Sequence, residues 1–148
     1  MTRLMILVAS VREGRIGLPI AQWVRERVES DGRFELDWAD LKEIALPMMD
    51  EPHHPKMRNY TYEHTKEWSV RVDACDAFIF VQPEYNYSFA PSLKNALDYL
   101  LFEWQRKPVG TVCYGGISGG TPHPKCHANG WCGVRPRWRS CRVRPGRS

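Results

Sequence analysis

Residues 4–17 read LMILVASVREGRIG, and this stretch decides the fold. Its first six residues, 4–9, are all apolar, as in a strand that a parallel sheet buries on both faces. Beyond residue 17, apolar side chains recur at helical spacing with charged residues between them: Leu18, Ile20, Ala21, Val24 and Val28. The pattern predicts a buried strand, a loop over residues 10–17 and an amphipathic helix, which together begin a βαβ unit.

The same alternation continues through the first 121 residues. Further strands are predicted at residues 34–38 (FELDW), 77–81 (AFIFV) and 109–114 (VGTVCY), and further helices at residues 61–74, capped by Thr61, and 91–104. Residues 40–55 form an irregular connector that contains prolines. Strands that alternate with helices predict an α/β domain with right-handed crossovers, a mostly parallel sheet and helices on both faces.

The positive charge of the chain is concentrated at its C-terminus. The net charge is +4, yet seven of the 21 Lys and Arg residues and none of the 17 Asp and Glu residues lie in residues 122–148. Residues 1–121 therefore carry −3, which argues against a nucleic-acid partner for the folded part. The chain has no apolar run of about 18 residues, and Cys75 and Cys113 lie in apolar surroundings typical of reduced thiols. We expect a cytoplasmic protein without a membrane partner.

Three loops that follow predicted strands carry polar, charged or glycine residues. They are SVREGR at 10–15, QPEYNYS at 82–88, which leads into PSLKNALD at 91–98, and YGGISGG at 114–120. Because ligands bind outside the carboxyl ends of the strands in an open α/β sheet, we expect the three loops to form one site. The hydroxyl, guanidinium and amide groups of the first loop suit a phosphate. The glycines of the third loop allow its backbone to approach a flat ligand closely.

The order and spacing of these loops resemble the NADPH-dependent FMN reductase family, which includes quinone, azo and chromate reductases. The pattern PEYN…S…P..LKNA.D at residues 83–98 is its most specific part. The resemblance implies a flavodoxin-like, doubly wound parallel sheet of strand order 2-1-3-4, in which residues 109–114 are the fourth strand. It also implies FMN as cofactor, NADPH or NADH as electron donor, and assembly as a homodimer or homotetramer.

The resemblance further assigns residues to FMN binding. The implied phosphate contacts are Ser10, Arg12 and Arg15. The implied loop against the isoalloxazine ring is Pro83, Glu84, Tyr85 and Asn86, and the implied wall on the other side of the ring is Gly115, Gly116, Ser118 and Gly119. From the residues alone, the two arginines could also be solvated surface charges, Arg15 more so than Arg12, and Glu84 could serve only to fix its turn. No catalytic side chain is assigned, because the flavin itself carries the hydride chemistry.

Residues 122–148 depart from the family pattern. They read PHPKCHANGWCGVRPRWRSCRVRPGRS and have neither a strand nor a helix period. Their His and Cys residues lack the paired spacing of a zinc site, so no metal is expected. GC-rich coding DNA that is translated out of frame yields such a composition, and we hypothesise a frameshift just after Thr121. Residues 1–121 would then be an incomplete FMN-binding domain whose fifth strand is missing, and residues 122–148 a disordered basic tail.

The expected function is that of an FMN-dependent NAD(P)H oxidoreductase, which reduces quinone-like or other small acceptors by two-electron transfer. The alternative is a non-enzymatic flavin-binding protein, either an electron carrier or an inactive truncated remnant. The arginines of the SVREGR loop argue against a flavodoxin-type carrier, whose phosphate loop is rich in threonine.

Overall fold

Strands and helices alternate along the residues that the structure, a computed structural model, describes, which are 1–86 and 88–115. The strands are β1 (Thr2–Val8), β2 (Phe34–Asp40), β3 (Ala77–Tyr85), β4 (Ser88–Phe89) and β5 (Val109–Tyr114). The helices are α1 (Gly17–Asp31), α2 (Leu41–Ile44), α3 (Glu63–Asp73) and α4 (Pro91–Asp98), with 3₁₀ turns at Pro55–Met57 and Phe102–Trp104. All four strands and all three helices predicted from the sequence are present, and α2 adds a short helix to the predicted connector.

The sheet has the predicted parallel arrangement. β2, β1, β3 and β5 lie side by side in this order and run in the same direction, which confirms the order 2-1-3-4 with residues 109–114 as the fourth strand. The register pairs Val8 with Val81 and Pro83 with Tyr114. β1, β3 and β5 therefore end along one side of the sheet, called the carboxyl edge below, and the three predicted loops begin there.

The prediction that a fifth strand is missing is wrong, because the described residues contain five strands. β4 pairs antiparallel with the end of β3, with Glu84 opposite Phe89 and Tyr85 opposite Ser88. Asn86 permits this reversal, since its φ is +51° and asparagine tolerates the left-handed region that tight hairpin turns require. A two-residue strand shows no alternation in the sequence. Residues 122–148, which we expected to form a disordered basic tail, lie outside the described residues.

Apolar side chains pack on both faces of the sheet, as a doubly wound fold requires. α1 covers one face, where the buried residues are Ile6, Val8, Ala21, Val24 and Val81. α3 and α4 cover the other, where the larger core includes Met5, Leu7, Trp68, Val72, Phe78, Phe80, Leu93, Ala96, Leu97 and Trp104. The Trp68 indole N–H donates to the Ala96 carbonyl at 2.9 Å and so ties α3 to α4. Within the two described ranges, no helix is long and apolar enough to cross a membrane.

The start of α3 differs from the predicted one. Tyr62, rather than Thr61, is the N-cap residue, and its side chain makes no capping hydrogen bond. The Glu51 carboxylate instead accepts hydrogen bonds from the backbone N–H groups of Thr61 (2.9 Å) and Tyr62 (3.0 Å). This carboxylate also opposes the positive end of the helix dipole. The cap was missed because it comes from the connector and not from the residues next to the helix.

The last described helix, α4, is shorter than the predicted helix at residues 91–104. It ends at Asp98, and Leu101 adopts a φ of −133°, outside the helical region. The Leu101 amide lies 3.3 Å from the carboxylate of Glu103, which is fully buried. Leu100 nevertheless packs into the same core as α4. The apolar spacing thus continues past the true helix end, which is why the pattern predicts a longer helix.

Candidate functional site

The first loop at the carboxyl edge is held from two sides at Ala9. Its backbone N–H donates to the carbonyl of Val81 on β3 at 2.9 Å. Its carbonyl accepts from the hydroxyl of Ser92, the second residue of α4. The next residue, Ser10, is only 3 % exposed. These contacts fix the start of the loop against β3 and α4 before the chain turns toward α1.

Arg15 closes the same loop through a two-pronged ion pair with Asp40. Its two Nη atoms lie 2.6 Å from the two carboxylate oxygens of Asp40, and one of them also lies 2.5 Å from the Ser10 carbonyl. The hydrogen bond to Asp40 raises the pKa of Arg15. The guanidinium is therefore committed to the protein at both Nη atoms, whereas Arg12 is exposed in the same loop.

The N-terminus of α1 has features that suit an anion. Its N-cap residue, Ile16, provides no side-chain cap, and the first turn contains no acidic residue. The first amide groups of the helix and the positive end of its dipole thus lack the carboxylate that Glu51 supplies to α3. Together with the exposed guanidinium of Arg12, this end of the helix fits the phosphate of a nucleotide-type ligand.

Gly17 and Tyr114 pack against each other beneath the first loop. A Cβ atom at position 17 would lie 2.0 Å from the Tyr114 hydroxyl and 3.2 Å from the Cβ of Ser10, so only glycine fits there. The hydroxyl of Tyr114 is buried and makes no hydrogen bond within the described ranges. Burial raises the pKa of Tyr114, and the nearby hydroxyl of Ser10 opposes that rise. The end of β5 is thereby packed directly against the start of α1.

The second and third loops also approach each other closely, at Glu84 and Gly115. Pro83 is buried, Glu84 and Tyr85 are half-buried, and Asn86 is exposed at the tip of the β3–β4 hairpin. A Cβ atom at Gly115 would lie 2.8 Å from both the Cβ and a carboxylate oxygen of Glu84. The missing side chain at position 115 is therefore a steric requirement of this contact.

The structure brings together, at the carboxyl edge, all of the predicted site residues that it describes. These are Ser10, Arg12, Arg15, Pro83, Glu84, Tyr85, Asn86 and Gly115. Gly116, Ser118 and Gly119 lie outside the described residues. A loop beside a helix N-terminus without a side-chain cap, next to two loops that meet closely at Gly115 and Glu84, fits an anionic group joined to a flat ring, which is the shape of FMN.

Comparison with known families gives this arrangement an identity. The sequence model described as NADPH-dependent FMN reductase matches residues 2–132. The chain belongs to this family. Among curated FMN reductases, one from Schizosaccharomyces pombe is 42 % identical over 120 residues, which cover 80 % of this chain and 60 % of the relative. One from Saccharomyces cerevisiae is 34 % identical over 125 residues, which cover 77 % and 65 %. The chain thus spans less than two thirds of the length of these FMN reductases.

Solved structures confirm the fold of this FMN reductase family member. The flavoenzyme NAD(P)H:(acceptor) oxidoreductase FerB from Paracoccus denitrificans superposes with a TM-score of 0.69 at 21 % identity, over 88 % of this chain and 71 % of FerB. An NADH:FMN oxidoreductase in its apo form gives a TM-score of 0.69 at 18 % identity, over 95 % and 74 %. Both likenesses support the flavodoxin-like sheet predicted from the resemblance.

Four residues at the site were not singled out from the sequence. Asp40 and Ser92 hold the first loop through the contacts described above, and Gly17 and Tyr114 form the close approach beneath it. Gly17 lies in the stretch that decides the fold, at the start of the predicted helix. Glycine has a low helix propensity, so its presence there could have indicated a close contact. Asp40 and Ser92 gave none, because their partners are 25 and 83 residues away.

Proposed function

We propose that the chain is the flavin-binding part of an FMN-dependent NAD(P)H oxidoreductase, which reduces quinone-like or other small acceptors by two-electron transfer. The observation that carries the proposal is the N-terminus of α1, which has no side-chain cap and no acidic residue and lies beside Ser10 and Arg12 at the carboxyl edge. When bound, FMN supplies a ring that takes hydride from a nicotinamide and delivers two electrons to an acceptor.

The residues of the chain then have distinct tasks. Ser10, Arg12 and the first amide groups of α1 bind the phosphate, since these are the hydrogen-bond donors available there. Arg15 keeps the loop in shape through Asp40 and is the third residue that we assign to the phosphate. The Pro83, Glu84, Tyr85 and Asn86 segment lies against the ring and offers backbone amides to its polar edge. Gly115, followed by Gly116, Ser118 and Gly119, forms the opposite wall.

A flavin titration followed by a turnover assay tests the proposal. The full chain is stripped of bound flavin and titrated with FMN and with riboflavin, which lacks the phosphate. We expect FMN to bind more tightly than riboflavin, and we expect the loaded protein to oxidise NADPH or NADH when a quinone is supplied under air. FMN binding without NAD(P)H oxidation would instead favour a flavin-binding protein without turnover. Failure of the folded protein to bind either flavin would overturn the proposal.

The assembly and location of the protein follow the family as further proposals. We infer a homodimer or homotetramer from the family resemblance, and candidates for the subunit contact are large apolar side chains exposed among the described residues: Met48 (78 %), Met57 (64 %), Val70 (71 %) and Phe102 (38 %). Sedimentation of the purified chain at several concentrations measures the subunit number. A cytoplasmic location agrees with Cys75 and Cys113, which form no disulfide among the described residues, and it is tested by cell fractionation.

The domain limits are also a proposal. We infer that residues 1–121 make up the flavin-binding domain and that residues 122–148 form a basic tail outside it. Limited proteolysis with and without FMN tests this division, since cleavage confined to the tail is expected when the domain is folded. Equal protection of both segments would contradict it. Translation of the coding sequence in the alternative frame after Thr121 tests the frameshift hypothesis independently.

A further inference from the structure

The hydroxyl of Tyr114, at the end of β5, is an unusual feature of the site. It is buried, and no hydrogen-bond partner for it lies in the described parts of the chain. Native proteins rarely bury a hydroxyl without a partner, because the group loses its bonds to water and gains nothing in return. A phenylalanine at this position would fill the same space without that cost. The hydroxyl therefore needs an explanation other than packing.

The contacts around Gly17 locate the Tyr114 hydroxyl beside Ser10. Tyr114 Oη lies 2.0 Å from the point where a Cβ of residue 17 would be, and the Cβ of Ser10 lies 3.2 Å from the same point. The two hydroxyl-bearing side chains thus meet at the first turn of α1, where the glycine leaves room for both. This is the end of the helix that has neither a side-chain cap nor an acidic residue.

Hydrogen-bond capacity indicates how the two hydroxyls work together. A serine hydroxyl has one proton to donate and two lone pairs that accept, and a tyrosine hydroxyl also donates one proton. If Tyr114 donates to Ser10, the serine must turn its own proton elsewhere. An anion at the start of α1 would accept that proton, and a hydrogen bond to a charged acceptor is strong.

We propose that Tyr114 is a positioning residue for the phosphate of FMN: when the phosphate is bound, its hydroxyl donates to Ser10 Oγ, so that Ser10 presents its proton to the phosphate. This inference rests on the proposed function, since it requires FMN in the site. The inference gives Tyr114 of β5 a role in positioning Ser10 of the loop that follows β1. It also accounts for glycine at position 17, because any side chain there would displace the tyrosine hydroxyl.

The test is a double-mutant cycle on flavin affinity in the full chain. The variants are Tyr114→Phe, Ser10→Ala and the two combined, each titrated with FMN and with riboflavin. Each single variant is expected to weaken FMN binding about tenfold, the size of one hydrogen bond to a charged group. Riboflavin binding is expected to stay unchanged. Because Tyr114 acts through Ser10, the double variant should bind FMN no more weakly than Ser10→Ala alone.

A second measurement separates this role from a structural one. Without flavin, Tyr114→Phe is expected to melt at the same temperature as the wild type or higher, because it removes a buried hydroxyl that has no partner. With saturating FMN, its gain in melting temperature should be smaller than that of the wild type. Tyr62→Phe is the matched control: it removes the hydroxyl of an exposed tyrosine that stacks on His64, and it should change neither quantity.

The possible outcomes distinguish the inference from the function on which it rests. Wild-type protein that is folded yet binds neither flavin would overturn both. Wild-type protein that binds FMN while Tyr114→Phe binds it equally well would overturn only the role of Tyr114. An equal loss of FMN and riboflavin affinity in Tyr114→Phe would also overturn it, since the effect would then lie at the ring or in the fold. Additive losses in the double variant would overturn the step through Ser10.

Discussion

Arg15 and Asp40 form a two-pronged ion pair in which both Nη–Oδ distances are 2.6 Å. The side chains are 9 % and 1 % exposed, so the pair is largely removed from water. Asp40 also caps α2 by accepting from the backbone N–H of Lys42 at 3.0 Å. The carboxylate of Asp40 therefore joins the loop after β1 to the end of β2. Arg15, which the sequence predicts to contact a ligand, has a structural role in this ion pair.

Asp40→Ala is expected to lower the free energy of unfolding by about 3 to 5 kcal/mol, because it leaves the largely buried guanidinium of Arg15 without a counter-charge and with only the Ser10 carbonyl as acceptor. Urea unfolding of the flavin-free protein measures this loss. The double variant Arg15→Met/Asp40→Leu removes both charges and should lose less, since no unpaired charge is left behind. A loss below about 1 kcal/mol for Asp40→Ala would show that water reaches the ion pair and that the pair does not stabilise the fold.

Arg12→Ala should weaken FMN binding while leaving the stability of the protein almost unchanged. Because Arg12 is exposed, the free energy of unfolding should change by no more than about 0.5 kcal/mol. FMN affinity should fall about tenfold with riboflavin affinity unchanged, since we propose that the guanidinium contacts the phosphate. Arg33→Ala is the control, as Arg33 is a highly exposed arginine at the amino end of β2, opposite the carboxyl edge. An equal effect of the two variants on FMN would mean that only the net charge matters.

The sequence predicts the sheet better than it predicts the contacts of the site. Continuous apolar runs at residues 4–9 and 77–81 fix the buried strands, because burial on both faces excludes polar residues. The α4 end and the Glu51 cap were missed, since the first depends on the buried carboxylate of Glu103 and the second on a residue in the connector. The role of Asp40 could not be predicted either, because its ion pair with Arg15 spans 25 residues and leaves no local sequence pattern.

Gly17→Ala is expected to destabilise the protein although alanine is the better helix former. Helix propensity alone would favour alanine by about 1 kcal/mol, but its methyl group would lie 2.0 Å from the Tyr114 hydroxyl. The resulting displacement should cost about 1 to 3 kcal/mol in the free energy of unfolding. Tyr114→Phe in the same chain should restore part of the loss, because it removes the nearest atom. No restoration would indicate that the clash is relieved elsewhere.

Gly115→Ala should affect the ring part of the site and not the phosphate part. A methyl group at position 115 would lie 2.8 Å from the Cβ of Glu84, an atom too close to the backbone to swing away. The two loops must then separate, and FMN and riboflavin affinity should fall by the same factor. Fluorescence titration with both flavins measures this. A loss confined to FMN would contradict the assignment of Gly115 to the ring.

Glu103 should make stability depend on pH. Its carboxylate is fully buried and accepts hydrogen bonds from Ser69 (2.7 Å) and Tyr60 (2.9 Å), and Arg58 lies at 3.3 Å. Burial alone would raise the pKa of Glu103, but these bonds and the charge of Arg58 hold it below its usual value. A group with a lowered folded-state pKa stabilises the fold above its unfolded pKa, near pH 4.3 for glutamate, and that stabilisation is lost as the pH falls through the folded value.

Glu103→Gln tests this dependence, since it keeps the shape of the side chain and removes its charge. At pH 7 we expect a loss of about 2 kcal/mol in the free energy of unfolding, because hydrogen bonds to a charged acceptor are replaced by weaker ones. Between about pH 5 and pH 3 the wild type should lose stability faster than the variant, so that the two curves converge. Glu29→Gln on α1, where Glu29 is exposed and pairs with Arg25 four residues earlier, should follow the wild type throughout. Parallel curves for the wild type and Glu103→Gln would show that Glu103 keeps its usual pKa and that acid acts on other carboxylates.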